Sequence, residues 1–362
     1  MRRIGVVVFL LGLAGAAVWF TASLYLPYQS FPKEGVFVEV PRGASGRVIA
    51  RLLSEKGVVR SSLAFEALCR WRDRSKLVAG DYFFDHPGTA FDVFRVLSEG
   101  RVYVKSVTVP EGLTMFAIAD LMEREGFTTR AAFLKAARDT TPIHDLAPAA
   151  GSLEGFLFPA TYQFSRHSTA TEIVNVMVGR FRETWNSLPE AARNNNARPV
   201  DAVVTLASLV ERETGVPEER PIVAGVFTNR LRRGQALQCD PTVIYALELA
   251  DKYSGRLDSG DLHFDSAYNT YRHAGLPPGP IGNPGEASLR AALQPAPVDY
   301  LFFVASTRGG HVFSKSLQEH NRNVAQYRRL LAQNTHASNG GDAPAVQTMN
   351  TPPKNASRKR FR

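Results

Sequence analysis

The sequence predicts an α+β protein with an N-terminal transmembrane helix, small α+β modules after it, and a C-terminal mixed α/β domain. Three observations carry that reading. An apolar run without an ionisable side chain occupies Ile4 to Leu26. A strand–turn–helix pattern that begins at Val38 returns from Val107. Beyond about residue 130 helical periodicity dominates, broken by Gly/Pro loops and by two short apolar runs near the end. The 362 residues are 44% hydrophobic and 10% aromatic, enough apolar material for two or three packed domains. Wholesale disorder and a fibrous repeat are excluded on the same grounds. The expected sections are a stub and anchor at 1–27, a linker at 28–36, the modules at 37–130, the large domain at 131–332, and a disordered basic tail at 333–362.

As a helix, the apolar run reaches roughly 34 Å, enough for a hydrocarbon core of about 30 Å. Trp19, Tyr25 and Tyr28 gather toward its far end, as interfacial aromatics do. A cleaved signal peptide has a shorter apolar stretch and a small-x-small site, whereas bulky Leu24-Tyr25-Leu26-Pro27 stands here. The expectation is an uncleaved single-pass anchor. Arg2 and Arg3 on the short side place the N-terminus in the cytoplasm and the body outside it. Cys69 and Cys239 are too few for a disulfide framework or a cysteine-rich zinc site, and no bridge between them is inferred.

The repeat is close. Val38-Glu39-Val40-Pro41-Arg42-Gly43, with Ser45, Ile49-Ala50, Leu52-Leu53 and Gly57, is echoed by Val107-Thr108-Val109-Pro110-Glu111-Gly112, with Thr114, Ile118-Ala119, Leu121-Met122 and Gly126. Each copy reads as a strand, a Pro-x-Gly turn, a Ser/Thr cap and an amphipathic helix closed by glycine. Between them Gly80 to Phe84 predicts a strand and Phe91 to Leu97 a short helix. Such small strand–helix units outside a membrane resemble LysM-type peptidoglycan-binding modules; a plain packing domain is the alternative. Farther on, Leu153 to Tyr162 interrupts a mostly helical stretch, Asp201–Arg232 reads as helix, and Asp240–Leu247 begins another. Ala287–Leu293 is helical, and Leu301 to Val304 with His311 to Phe313 form paired strands about Arg308-Gly309-Gly310.

Chemistry points to the end of the helix that contains Ala207-Ser208-Leu209-Val210-Glu211-Arg212-Glu213-Thr214-Gly215. Glu213 lies over Val210, Leu209 and Leu206, whereas Glu211 lies over Ser208, Ala207 and Val204. Two residues on a helix turn through about 200°, so the two acids cannot share one pocket. A carboxyl over the apolar face loses solvent, which favours its protonated form and suits a general acid. Ordinary helix-end charges are the competing reading. Asp240 before Pro241 looks like a helix cap. The loops at 266–271 and 275–281 offer amide, hydroxyl and aromatic groups that suit sugars, though each alone also fits simple turn chemistry. No phosphate loop, dinucleotide fingerprint, HExxH or GxSxG occurs, the eight histidines lack metal-ligand spacing, and Ser208 has no evident histidine partner.

At these residues the chain resembles the endolytic murein transglycosylase family, also called YceG-like. The matching strings are LEGFLFPATY at 153–162, ASLVERETG at 207–215, Glu219-Arg220, VFTNRL at 226–231, LQCDPTVIY at 237–245, AYNTY at 267–271, GLPPGPI at 275–281, and FVA with GGHVF at 303–313. With the anchor and the LysM-like part, the resemblance covers nearly the whole chain before the tail. Cys239 departs from it, standing where Thr or another small residue is expected, and the basic tail is extra.

The resemblance implies that Glu213 is the catalytic acid and base of a lyase. That lyase cleaves the β-1,4 bond from N-acetylmuramic acid to N-acetylglucosamine within glycan strands and leaves 1,6-anhydro ends. Gln238, Asp240, Tyr268, Asn269 and Thr270 are the expected sugar-binding residues, and Thr214, Glu219 and Arg220 the residues that organise Glu213. No cofactor and no metal is expected. The implied partners are peptidoglycan and the bacterial inner membrane, with glycan-synthesising polymerases as a further suggestion, and the body is expected in the periplasm. A hydrolytic muramidase and a non-catalytic glycan-binding scaffold remain the alternatives. The formal charge of +9 does not point to nucleic acid. Its excess sits in Arg2 and Arg3 and in Lys354, Arg358, Lys359, Arg360 and Arg362, which leaves a body near neutrality.

Overall fold

The computed structural model describes residues 2–72, 77–194 and 198–338. The first element, α1 (Arg2–Tyr25), contains the one described helix long and apolar enough to cross a membrane. Its Ile4–Tyr25 stretch has a mean hydropathy of 2.3 and is unburied. The residues after it, expected as a linker, are seated on the first module. Tyr28 bridges to Gly88, the Ser30 N–H donates to the Gly57 carbonyl at 2.9 Å, and Phe31 enters the core.

Both copies of the repeat fold as strand, helix, helix, strand. The first is β1 (Val36–Val40), α2 (Gly46–Glu55), α3 (Ser62–Arg72) and β2 (Gly80–Phe84), followed by α4 (Ala90–Ser98). The second is β3 (Lys105–Thr108), α5 (Met115–Arg124), α6 (Arg130–Ala137) and β4 (Thr161–Phe164). In each, the outer strands pair antiparallel, with Val38 opposite Tyr82 and Val107 opposite Tyr162. The caps work as their residue types require: Val48 N–H donates to Ser45 Oγ at 3.3 Å, and Ala117 N–H to Thr114 Oγ1 at 3.2 Å. Gly57 and Gly126 then stop α2 and α5 with φ of 73° and 74°, a conformation that costs glycine little. Val38, Val40, Ile49, Leu53, Phe65, Tyr82 and Leu97 form the core of the first module.

The second module closes late, because residues 138–160 intervene before β4. The chain accordingly divides into two compact units. One holds everything up to Ile143 together with Gly151–Arg182, and the other holds His144–Ala150 and the chain from Glu183 onward. The boundary expected at 130 falls on the first residue of α6, a helix that packs on α5. The LEGFLFPATY segment therefore belongs to the first unit. There the Glu154 carboxylate, buried, accepts the Met115 N–H at 2.9 and 3.0 Å and caps α5 from outside it.

After α7 (Ala170–Ser187) and α8 (Glu190–Asn194), the second unit is built on α9 (Val200–Glu213). This helix packs against α10 (Arg220–Arg232), α11 (Asp240–Leu249) and α12 (Glu286–Leu293). The expected helix across 201–232 is broken instead. Thr214 is extended (φ −134°, ψ 130°), and a short 3-10 turn at Pro217–Glu219 precedes α10. Gly215 and the bias of the residue before Pro217 toward extended backbone explain the break. An antiparallel hairpin of β5 (Phe302–Ala305) and β6 (His311–Ser314) follows. The last helix, α13 (Leu317–Ser338), runs past the position where the tail was expected to begin. The basic residues from Lys354 on lie outside the described residues.

Candidate active site

Glu213 ends α9 and points into a cavity of about 290 Å3, lined also by Arg230, Leu237, Gln238, Asp240, Tyr271, Phe303 and His320. Its position follows from the helix. Val203 through Val210 are buried, so the chain is already deep when the last turn delivers Glu213 over the apolar face. Burial pushes its carboxyl up to about 7. The Cys239 thiol hydrogen bond, the charge of Asp240, and the opposing charges of His311 and Arg230 modify that in turn. A proton is thereby held near neutral pH on a group that faces open space.

Glu211 takes the opposite course, as the helical angle requires. Its carboxylate accepts from Arg220 at 3.2 Å and from the Gly285 N–H at 3.0 Å, and both side chains of the pair are about nine-tenths buried. Arg220 therefore holds Glu211 on the far face of the helix from Glu213. Ser208 is structural too: it donates to the Thr205 carbonyl and accepts the Ile281 N–H.

Thr214 and Glu219 meet directly. Thr214 Oγ1 donates to Glu219 Oε2 at 3.0 Å and accepts the Val216 N–H at 3.0 Å. Glu219 also receives the His311 backbone N–H and contacts the His311 ring at Nδ1, both at 2.7 Å. These contacts fix the chain immediately after Glu213 and bring the start of β6 to it.

The expected sugar-binding residues divide. Gln238 and Asp240 line the cavity. Gln238 does so with φ of 51°, an uncommon state for a residue with a side chain, maintained as its N–H donates to the Thr270 carbonyl. Asp240 is the first residue of α11 rather than its cap; Cys239 is the cap position, and Asp240 Oδ1 accepts the Tyr271 hydroxyl at 2.5 Å. Asn269 and Thr270 are fully buried, with their polar groups bonded inside the protein. Asn269 Nδ2 donates to the Leu262 and Phe264 carbonyls, while Thr270 Oγ1 accepts the Cys239 N–H and meets the Thr242 hydroxyl. Tyr268 packs beside Tyr245, ring centroids 5.0 Å apart. Tyr271, later in the same string, is the member that reaches the cavity.

Sequence reasoning also missed Arg230, His311, Phe303 and His320. Arg230 had a signal: a cation within the VFTNRL string of a helix whose other residues are largely buried. Its guanidinium donates to the carbonyls of Leu301 (2.6 Å), Leu237 (2.8 Å) and Ala236 (3.2 Å) and lies over the Phe302 ring. One half-buried side chain thus joins α10, the segment before α11 and the entry to β5. Phe303 and His320 come from distant elements with no local pattern to mark them.

The chain that carries this cavity has counterparts among known proteins. The YceG-like family model matches residues 38–326. An endolytic murein transglycosylase of Bacillus subtilis (strain 168) is 34% identical over 87% of this chain and 91% of its own length. One of Streptococcus pneumoniae serotype 2 (strain D39 / NCTC 7466) is 30% identical over 83% of this chain, which spans 60% of that longer protein. A solved yceG-like protein of Listeria monocytogenes superposes with a TM-score of 0.54 at 32% identity, covering 80% of this chain and 99% of that one. By sequence, by extent and by fold, this chain belongs to the YceG-like family.

Proposed function

We propose that this protein is an endolytic peptidoglycan lytic transglycosylase that cleaves the bond from N-acetylmuramic acid to N-acetylglucosamine within glycan strands. The observation that carries the reading is Glu213: a carboxyl in an open cavity whose burial keeps it protonated near neutral pH. The activity named for the Bacillus and Streptococcus relatives supports it. Protonated Glu213 gives its proton to the glycosidic oxygen as the bond to C1 breaks. The resulting carboxylate takes the proton of the muramoyl C6 hydroxyl, whose oxygen closes on C1 to form the 1,6-anhydro ring. No water is consumed, and the tethered nucleophile removes the need for the second carboxylate of most glycosidases.

Gln238, Asp240 and Tyr271 are the groups offered to the sugars. Thr214, Glu219 and His311 hold Glu213 in place. The two strand–helix–helix–strand modules support a LysM-like grip on the same polymer. Anchorage through α1 with Arg2 and Arg3 on the cytoplasmic side sets the body in the periplasm. There the enzyme trims or ends nascent strands beside the polymerases that make them.

The test is mass spectrometry of isolated sacculi digested by the detergent-solubilised protein. Anhydro-ended fragments that disappear with Glu213→Gln support the proposal. Reducing ends would instead make the protein a hydrolytic muramidase, and intact strands would make it a scaffold.

A further inference from the structure

Outside the cavity, Glu39 and Asp81 stand directly opposite each other in the β1–β2 register. Two like charges in that relation destabilise a strand pair. Glu39 is open to solvent, but the Asp81 side chain is only 5% exposed. A buried carboxylate needs compensation. Among the described residues, the side chain that meets it is His167, in the loop after β4, with Nε2 3.3 Å from Asp81 Oδ2 and 3.9 Å from Glu39 Oε2. One ligand atom from each residue lies within 4.8 Å of the others. A tetrahedral ion with bonds of about 2.0 Å sets its ligand atoms about 3.3 Å apart, so turning the two exposed side chains slightly completes the set. The loop that carries His167 is itself pinned. The Arg166 guanidinium lies 4.0 Å from the centre of the Phe37 ring, which packs across the strands on Phe83 at 4.6 Å and against Tyr103 at 5.0 Å.

We propose that Glu39, Asp81 and His167 form a binding site for one divalent transition ion of the zinc type, which clasps the β1–β2 pair to the loop after β4. One imidazole nitrogen and two carboxylate oxygens suit zinc, and cobalt(II) as its spectroscopic substitute. The buried Asp81 is the fixed ligand, and the exposed Glu39 and His167 close over the ion. The ion neutralises the opposed acids and links the first module to the end of the second, so it stabilises the fold rather than taking part in cleavage.

The experiment uses the full chain in detergent, stripped with a chelator and titrated with Zn2+ by equilibrium dialysis, with Co2+ absorption as a second readout. His167→Ala and Glu39→Gln alter exposed side chains, so both variants keep the fold, which circular dichroism checks. We expect one zinc per chain beyond the uptake of His167→Ala, and binding at least about tenfold weaker in each variant. Zinc should raise the melting temperature of the parent and not that of His167→Ala. Equal zinc uptake by parent and variants overturns the proposal. So does a stability loss in His167→Ala that is the same with and without zinc, which would mark an ion pair only.

Discussion

Glu219 holds His311 twice, through the backbone N–H and through the ring, each at 2.7 Å. The two residues come from separate elements, one just before α10 and the other at the start of β6. Burial pushes the Glu219 carboxyl up, but the hydrogen bonds from His311 and Thr214 outweigh it and hold the carboxyl below its usual range. This stabilisation is complete above the unfolded-state value and is lost as pH falls through the folded one. Replacing Glu219 with Ala should cost about 1–3 kcal/mol and lower kcat more than it raises KM. Gly310→Ala should fail in the same way, since its Cβ would strike the Glu219 carboxylate and Gly310 has φ of 68°. Thermal unfolding and sacculus turnover of the two variants check this.

Glu213→Gln should lower cleavage by about 10²- to 10⁴-fold without unfolding the protein. Ionising Glu213 is harder in the folded chain than in the unfolded one. Its cost is absent below about 4.5 and grows as pH rises to about 7, where it reaches on the order of 3 kcal/mol. The variant should therefore match the parent near pH 4 and exceed its stability above pH 7. Denaturant melts across that range test the sign. Parental activity should decline above about pH 7, where the acid loses its proton.

Cys239 donates to the Glu213 carboxylate and so lowers its pKa. Cys239→Ala removes that donor, and the basic limb of the pH–rate profile should move to higher pH. A profile that stays in place would show that the thiol does not tune the acid.

Both cysteines should be silent toward thiol reagents in the native protein. Burial, aided by Glu66, pushes Cys69 up to about 11, and burial with the adjacent Glu213 raises Cys239 well above its ordinary value. The thiolate is the reactive form. A disulfide reagent should label neither cysteine before denaturation and both after it; prompt native labelling would contradict their burial.

Arg220→Met should destabilise the second unit by about 3–5 kcal/mol, because it strands the buried Glu211 charge. The double variant Glu211→Gln/Arg220→Met should recover most of that loss, since glutamine keeps an acceptor for the Gly285 N–H. Recovery in a double-variant cycle of melting temperatures would locate the cost in the unpaired charge.

Local patterns made much of the molecule legible. The apolar run, both capped repeat helices and the β5–β6 hairpin each rest on residues close in the chain. The opposed faces of Glu211 and Glu213 follow from helical geometry alone. The sugar-loop reading could not foresee that Asn269 spends its amide on carbonyls of its own loop, while Thr270 spends its hydroxyl on the Cys239 N–H and the Thr242 hydroxyl. Composition does not distinguish an amide that faces a cavity from one that staples a turn.

The sequence by itself determined the N-terminal apolar helix, the repeat and the carboxyl at the end of α9, since periodicity and capping act within a few residues. Tertiary structure alone decided which groups surround that acid. Arg230, Tyr271, Phe303, His311 and His320 reach it from separate elements. Packing likewise brought Glu39, Asp81 and His167 together from two strands and a loop. Burial is also a tertiary property, and burial turns Glu213 from a helix-end charge into a carboxyl that keeps its proton near pH 7.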